Sequence, residues 1–195
     1  HKSRGVGLAA PQIGKAIRLF IIDSRKMYDE GEEEKGLEEV FINAQIIDVE
    51  VDLSKGLHAF NIVGLADTSV NESKDRVSAA IKNSGFKSPK NKNQKIVVSL
   101  APADVKKEGP LFDLPIAIAY LIASEDIKAD TDKRLFVGEL SLDGELRPVK
   151  GVLPITQKAK KMGFEEIFVP IENADEAGNI EGITVYGVKN LMHVV

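Results

Sequence analysis

The chain of 195 residues has no cysteine and no tryptophan, and aromatics make up only 6% of it. The missing thiol excludes disulfides, thiolate catalysis and Cys-ligated metal, and it is in keeping with a cytoplasmic location. With Phe and Tyr so sparse, a core built from this composition must be aliphatic, and a hydrophobic content of 43% is ample for one. No apolar run approaches the roughly 18 residues of a membrane span, so no membrane partner is expected. The net charge is -4, which gives no global attraction to nucleic acid or to an anionic surface and leaves only local basic patches to consider. Histidine is confined to His1, His58 and His193, none of them at i, i+4 spacing. A catalytic metal needs about three well-placed ligands, so no metal site is expected. Nothing at His1-Lys2-Ser3-Arg4 resembles a signal peptide, since no apolar segment follows.

What is present is organised around Val137 to Gly151, Val-Gly-Glu-Leu-Ser-Leu-Asp-Gly-Glu-Leu-Arg-Pro-Val-Lys-Gly. Phe136-Val137 and Leu140 read as one strand and Leu146 to Val149 as the next, with Asp143-Gly144 supplying the positive φ angles of a tight primed turn. Lys150-Gly151 opens a helix that ends at Gly163. Upstream, Asp67-Thr68 caps a helix reaching Asn83, with Val70, Val77, Ala80 and Ile81 on one face and Gly85 as the stop. Lys95 to Leu100 is a strand. Phe112 to Ser124 is an apolar helix with Leu114, Ala117, Ile118 and Leu121 facing the core, and Asp113 stands where it can cap it or favour its positive end. Downstream come a strand at Glu166–Val169 stopped by Pro170, a short helix from Ile171 to Ala177, a strand at Thr184–Val188 and a further helix from Leu191.

Several of these runs carry a resemblance. Gly138-Glu139 through Pro148-Val149, together with Glu108-Gly109-Pro110-Leu111-Phe112-Asp113, is similar to the signature of Lon-type protease domains. Phe60 to Leu65, Val77 to Gly85, Leu100-Ala101-Pro102-Ala103-Asp104 and Phe112 to Ala117 resemble more closely the N-terminal domain of the magnesium-chelatase-like competence ATPases. That likeness runs from about Val49 to the C-terminus. It implies an α/β fold, a mixed sheet with helices, of Lon-protease-like type with a left-handed βαβ crossover, an exception to the usual hand. Aligned on the protease motifs, the nucleophile position is Leu111 and the catalytic lysine position is Leu153. An isobutyl group neither attacks nor accepts a proton, so the resemblance implies a domain without a Ser–Lys dyad. Ser141 and Lys150 would be a replacement dyad, but a turn-flanking serine and a surface lysine are the plainer reading. The family's ATP and magnesium belong to a later AAA+ module, and no Walker motif occurs in this chain. The implied partners are that AAA+ module, further copies of the chain in a ring, and DNA through the complete ATPase.

Gly5 to Gly14, Gly-Val-Gly-Leu-Ala-Ala-Pro-Gln-Ile-Gly, carries a second resemblance. Read as a dinucleotide loop it fails, because no strand precedes it and Pro11 obstructs the following helix. With Ile17 to Asp23 and Phe41 to Ile47 it is similar to peptide deformylases. Gly7 and Gln12 match that family's first motif, the glutamine being the residue that polarises the formyl group. The Cys motif and the His-Glu-x-x-His helix that hold the deformylase metal are absent, so Gly7 and Gln12 are vestigial. Between the two strand segments lie six glutamates (Glu30, Glu32, Glu33, Glu34, Glu38, Glu39), read as a solvated connection.

The expected organisation is therefore a deformylase-like strand segment over 1–48, completing or appended to the sheet, and a Lon-like domain over 49–195. The expected role is a non-catalytic assembly or interaction domain of a bacterial AAA+ DNA-remodelling ATPase. The alternatives are a hydrolase fragment, deformylase-like or peptidase-like, and a nucleic-acid contact domain using Lys87, Lys90, Lys92 and Lys95. Those lysines carry no interleaved aromatic or arginine, so the loop lacks the stacking platform of a single-strand binder.

Overall fold

A computed structural model describes residues 19–23 and 45–195. Its centre is a seven-stranded sheet in the order β3-β4-β2-β1-β5-β8-β9. The strands are β1 (Leu19–Asp23), β2 (Gln45–Lys55), β3 (Ala59–Val63), β4 (Gln94–Ala101), β5 (Arg134–Phe136), β8 (Glu166–Pro170) and β9 (Thr184–Val188). β2 is antiparallel to both its neighbours, β1 and β4, and every other pairing is parallel. The α/β class and mixed sheet are as expected.

Alternation decides which way each strand faces. Ile47, Val49 and Val51 of β2 and Ile96, Val98 and Leu100 of β4 are buried at two-residue spacing. Helix α1 (Thr68–Asn83) and helix α2 (Asp113–Ala123) cover that side, α1 against β3 and α2 against β2 and β1. Asp67 caps α1 by accepting from Val70 N at 2.8 Å, and its buried residues recur as Val70, Ser73, Val77, Ala80 and Ile81. Every residue of α2 from Asp113 to Leu121 is buried, so this helix has no solvent face where the sequence pattern suggested one. Helix α3 (Val152–Lys161) packs on β1 and β8, and the short α4 (Ala174–Ala177) packs beside it on β8 and β9. A four-residue α5 (Leu191–Val194) closes the described chain.

β1 sits in the middle of the sheet. β1 lies in the deformylase-like stretch, yet its backbone pairs from Leu19↔Val49 to Asp23↔Gln45 on one side and with β5 at Phe20↔Leu135 on the other. The neighbouring β2 runs unbroken from Gln45 to Lys55, through the point where the two resemblances meet. The end of the deformylase-like segment and the first residues of the Lon-like likeness thus share one element as far as the structure describes them. Gly7, Gln12 and the acidic connection lie outside the described residues.

The central hairpin departs from expectation. Phe136 ends β5 in the large sheet, and β6 (Glu139–Leu140) pairs with β7 (Leu146–Arg147) in a separate two-stranded sheet. Gly138 separates the two. A Cβ there would stand 2.5 Å from Leu146 Cδ2, so any larger residue would make the Leu146 side chain shift. The turn is wider than a two-residue primed turn: Ser141 N donates to Glu145 O at 2.9 Å and Gly144 N to Ser141 O at 3.0 Å. Gly144 has φ 91°, and Asp143 does not share the left-handed region. This is the longer hairpin connection in which a single glycine supplies the left-handed step.

Pairing on both edges predicts slow exchange for β1. The amides of Leu19 to Asp23 are expected to be as protected from hydrogen exchange as those of Val97 to Leu100. The measurement is exchange followed by mass spectrometry or NMR, and protection at the level of a free peptide would contradict the central placement.

Candidate functional site

The start of α2 is the place where a Lon-type nucleophile would stand. A 3₁₀ turn at Pro110–Phe112 leads into the helix, and two backbone bonds clamp it to the hairpin: Gly138 N to Leu111 O at 3.3 Å and Leu114 N to Gly138 O at 3.1 Å. Leu111 is 7% exposed and packs into the core. Leu153, at the lysine position, is in the first turn of α3 and is 38% exposed. Neither position offers a polar atom.

The polar group at this helix start is Asp113, and its side chain is not a helix cap. Oδ1 accepts from Ser73 Oγ at 2.5 Å and Arg76 Nη2 at 3.1 Å. Oδ2 accepts from Arg76 Nε at 2.7 Å and Leu140 N at 3.1 Å. The carboxylate thereby joins α1, α2 and the central hairpin at one fully buried point. Burial pushes the Asp113 carboxyl above its ordinary value, and the bonds from Arg76, Ser73 and Leu140 oppose that push. For Arg76 burial works downward, but the bond and charge of Asp113, with Glu139 and Glu72, leave the guanidinium raised. A carboxylate with its acceptor sites filled by four donors is a structural staple and has no lone pair directed at a substrate.

Two further buried polar groups, which sequence reasoning missed, shape the surroundings. Asn173 grips the backbone of Val149, donating to Val149 O at 2.8 Å and accepting from Val149 N at 2.9 Å, which fixes the chain between Pro148 and α3. Lys107 is wholly buried and donates its amine to Pro102 O, while its backbone bonds to Leu65 O at 3.0 Å and receives Asp67 N at 2.9 Å. Burial lowers the affinity of its amine for the proton, with Asp104 opposing. Both are single polar residues flanked by charge or turn formers in the sequence, and nothing local distinguishes them from surface residues.

The remaining candidates separate. Ser141 Oγ donates to the Asp143 carboxylate and, at 3.2 Å, to Glu145 O, while Lys150 is exposed, so the serine is held inside its own turn. Of the four loop lysines, Lys90 pairs with Asp75 at 3.3 Å and Lys92 with Asp126 at 3.3 Å, the latter also 5.6 Å from the Tyr120 ring centroid. Lys87 and Lys95 are exposed, Lys95 lying along Gly56 on the far side of the loop. Lys90 shares a cleft with another cation: Lys82, Ser78, Ser88 and Asn91 line a hollow of about 250 Å³ beside it. Among the described residues no helix is long and apolar enough to cross a membrane.

The mixed sheet, the clamped helix start and the hairpin define the class as an α/β domain. The profile of the ChlI subunit of Mg-chelatase matches residues 49–173. Curated relatives agree. YifB of Escherichia coli K12 is 49% identical over 142 residues, 72% of this chain and 27% of its own length. Competence protein ComM of Haemophilus influenzae is 42% identical over 155 residues, 79% of this chain and 30% of its own. A shorter match, 33% over 91 residues, covers 47% of this chain and 20% of the DNA repair protein RadA of Listeria monocytogenes. The chain belongs to the magnesium-chelatase-like family that contains YifB and ComM, and it spans less than a third of the length of these relatives. A second profile, polypeptide deformylase, matches residues 1–59 and overlaps the first at 49–59, within and just beyond β2.

Removing the Asp113 staple leaves Arg76 without its buried counter-ion. Asp113→Ala is expected to destabilise the chain by about 3–5 kcal/mol. Urea unfolding followed by far-UV circular dichroism measures it, and a change within about 0.5 kcal/mol, the scale of an ordinary surface substitution, would show that the network carries no stability.

Proposed function

We propose that this chain is a non-catalytic assembly domain of a AAA+ magnesium-chelatase-like ATPase, of Lon-protease-like architecture. The observation that carries the reading is the helix start at Leu111–Asp113. The position a nucleophile would occupy holds a buried leucine, and the adjacent carboxylate is consumed by Arg76, Ser73 and Leu140. A surface shaped by such a plug binds and orients, and it has no base or nucleophile with which to cleave. The names of the relatives, a competence protein and a DNA repair protein, support a setting in which the ATPase module supplies nucleotide chemistry and reaches DNA. ATP and magnesium would be held by that module and not by these residues.

The rival readings have less behind them. Deformylase chemistry needs a metal set that the sequence does not contain, and Gln12 has no partner residue for it. Phosphate contact has one observation in its favour, the cleft between Lys82 and Lys90, and one against it, the acidic partners of Lys90 and Lys92.

The test mixes this chain with the portion of the Haemophilus influenzae competence protein that lies beyond its matched region, in the presence of ATP and Mg²⁺. The expected result is co-elution in a defined stoichiometry with no release of formate from a formyl-Met peptide and no peptide cleavage. Separate elution, or turnover of either substrate, would overturn the proposal.

A further inference from the structure

Among the described residues the outer edge of β9 is open. β9 is the terminal strand of the large sheet, and beyond it no strand follows among the described residues. Such edges are usually blunted by Lys, Pro or a bulge. Thr184-Val185-Tyr186-Gly187-Val188 has none of these and no charged residue, in a chain where 29% of residues are charged. Thr184 N donates inward to Glu165 O at 2.9 Å. By alternation Thr184, Tyr186 and Val188 turn their backbone groups towards β8, so Val185 and Gly187 turn theirs outward.

A second observation sits on the same strand. The Phe136 and Phe168 rings stack at 4.7 Å with 9° between their planes, and Phe168 and Tyr186 at 4.8 Å with 19°. The three rings step across β5, β8 and β9 at the spacing of neighbouring strands, roughly 4.8 Å. Their faces therefore point along the sheet. The outer face of Tyr186, a residue 42% exposed, is directed past the free edge.

We infer that β9 is a homodimer edge: a second copy of this chain adds its own β9 antiparallel, with the two-fold axis at Tyr186. Two features of the strand agree with that register. Val185 stands opposite Gly187 of the second copy, and these are the residues with outward backbone groups, so the two strands exchange about four hydrogen bonds through the two symmetric pairs. Tyr186 stands opposite the second copy's Tyr186 in the non-hydrogen-bonded position, where side chains approach most closely, and the aromatic ladder continues through the axis. Beyond Val188 the chain leaves the edge: Lys189 O accepts from Leu146 N at 2.8 Å and Leu191 N donates to Gly144 O at 2.9 Å, so the pairing is confined to β9 itself, which carries no charge. Self-complementarity of this kind is what an isologous interface requires. A strand of another protein would need its own aromatic and an uncharged edge, whereas the second copy supplies both.

Sedimentation equilibrium of the intact chain tests the inference, over loading concentrations from about 1 to about 300 µM to bracket a transient affinity. The expected result is a mass rising from 21.2 kDa towards twice that value, with a rise retained in Tyr186→Phe and lost in Tyr186→Lys, which places two ammonium groups at the axis. Circular dichroism confirms that Tyr186→Lys is folded. A parent chain that stays at 21.2 kDa at every concentration overturns the inference by itself, whatever the variants do. So does a parent whose association survives in folded Tyr186→Lys.

Discussion

The backbone of Leu19–Asp23 is hydrogen-bonded on both sides, and the large sheet is continuous only through it. β3, β4 and β2 lie to one side, and β5, β8 and β9 to the other. Without β1, the edges of β2 and β5 would have no common neighbour. α2 and α3 would then cover two half-sheets, since both helices pack on β1. Backbone groups in the interior of a sheet need partners, and an unpaired pair of facing edges is costly and prone to association. The segment matched by the deformylase profile thus provides a strand that the magnesium-chelatase-like remainder uses. β-Pairing makes that exchange feasible, because a strand is specified by backbone bonds and by alternation more than by side-chain identity.

Asp113 does for the helices what β1 does for the strands. One buried carboxylate at the start of α2 receives donors from α1, through Ser73 and Arg76, and from the hairpin, through Leu140 N. In a low-dielectric interior each of those bonds is strong because the alternative, an unpartnered charge, is so costly.

Much of the fold was legible in the sequence. The bounds of α1 followed from Asp67 and Gly85, those of β9 from its uncharged β-branched run, and the end of β8 from Pro170. Two kinds of feature were not legible. Strand order is non-local: Leu19 to Ile22 is a continuous apolar run before Asp23, and nothing in it announces that β5, more than a hundred residues later, is its second partner. Buried polar staples were also missed. Asp113 reads as a helix-start acid, Asn173 as a turn residue and Lys107 as one of many surface lysines, because each owes its role to groups distant in the chain. The hairpin at Asp143-Gly144 was misjudged for a local reason: Gly138 ends the large-sheet strand early, and the turn then takes extra residues from the hairpin. At the candidate site, the substitution of leucine at Leu111 and Leu153 could be read from the motifs. The occupation of Asp113 could not.

The central claim is that the deformylase-like strand and the magnesium-chelatase-like remainder form one cooperative unit. Differential scanning calorimetry of the full chain and of a chain beginning at Gln45 tests it most directly. The full chain is predicted to unfold in a single transition whose calorimetric and van't Hoff enthalpies agree. The shortened chain, left with open edges at β2 and β5, is predicted to lose that transition. A shortened chain that melts cooperatively at the same temperature as the full one would contradict the claim.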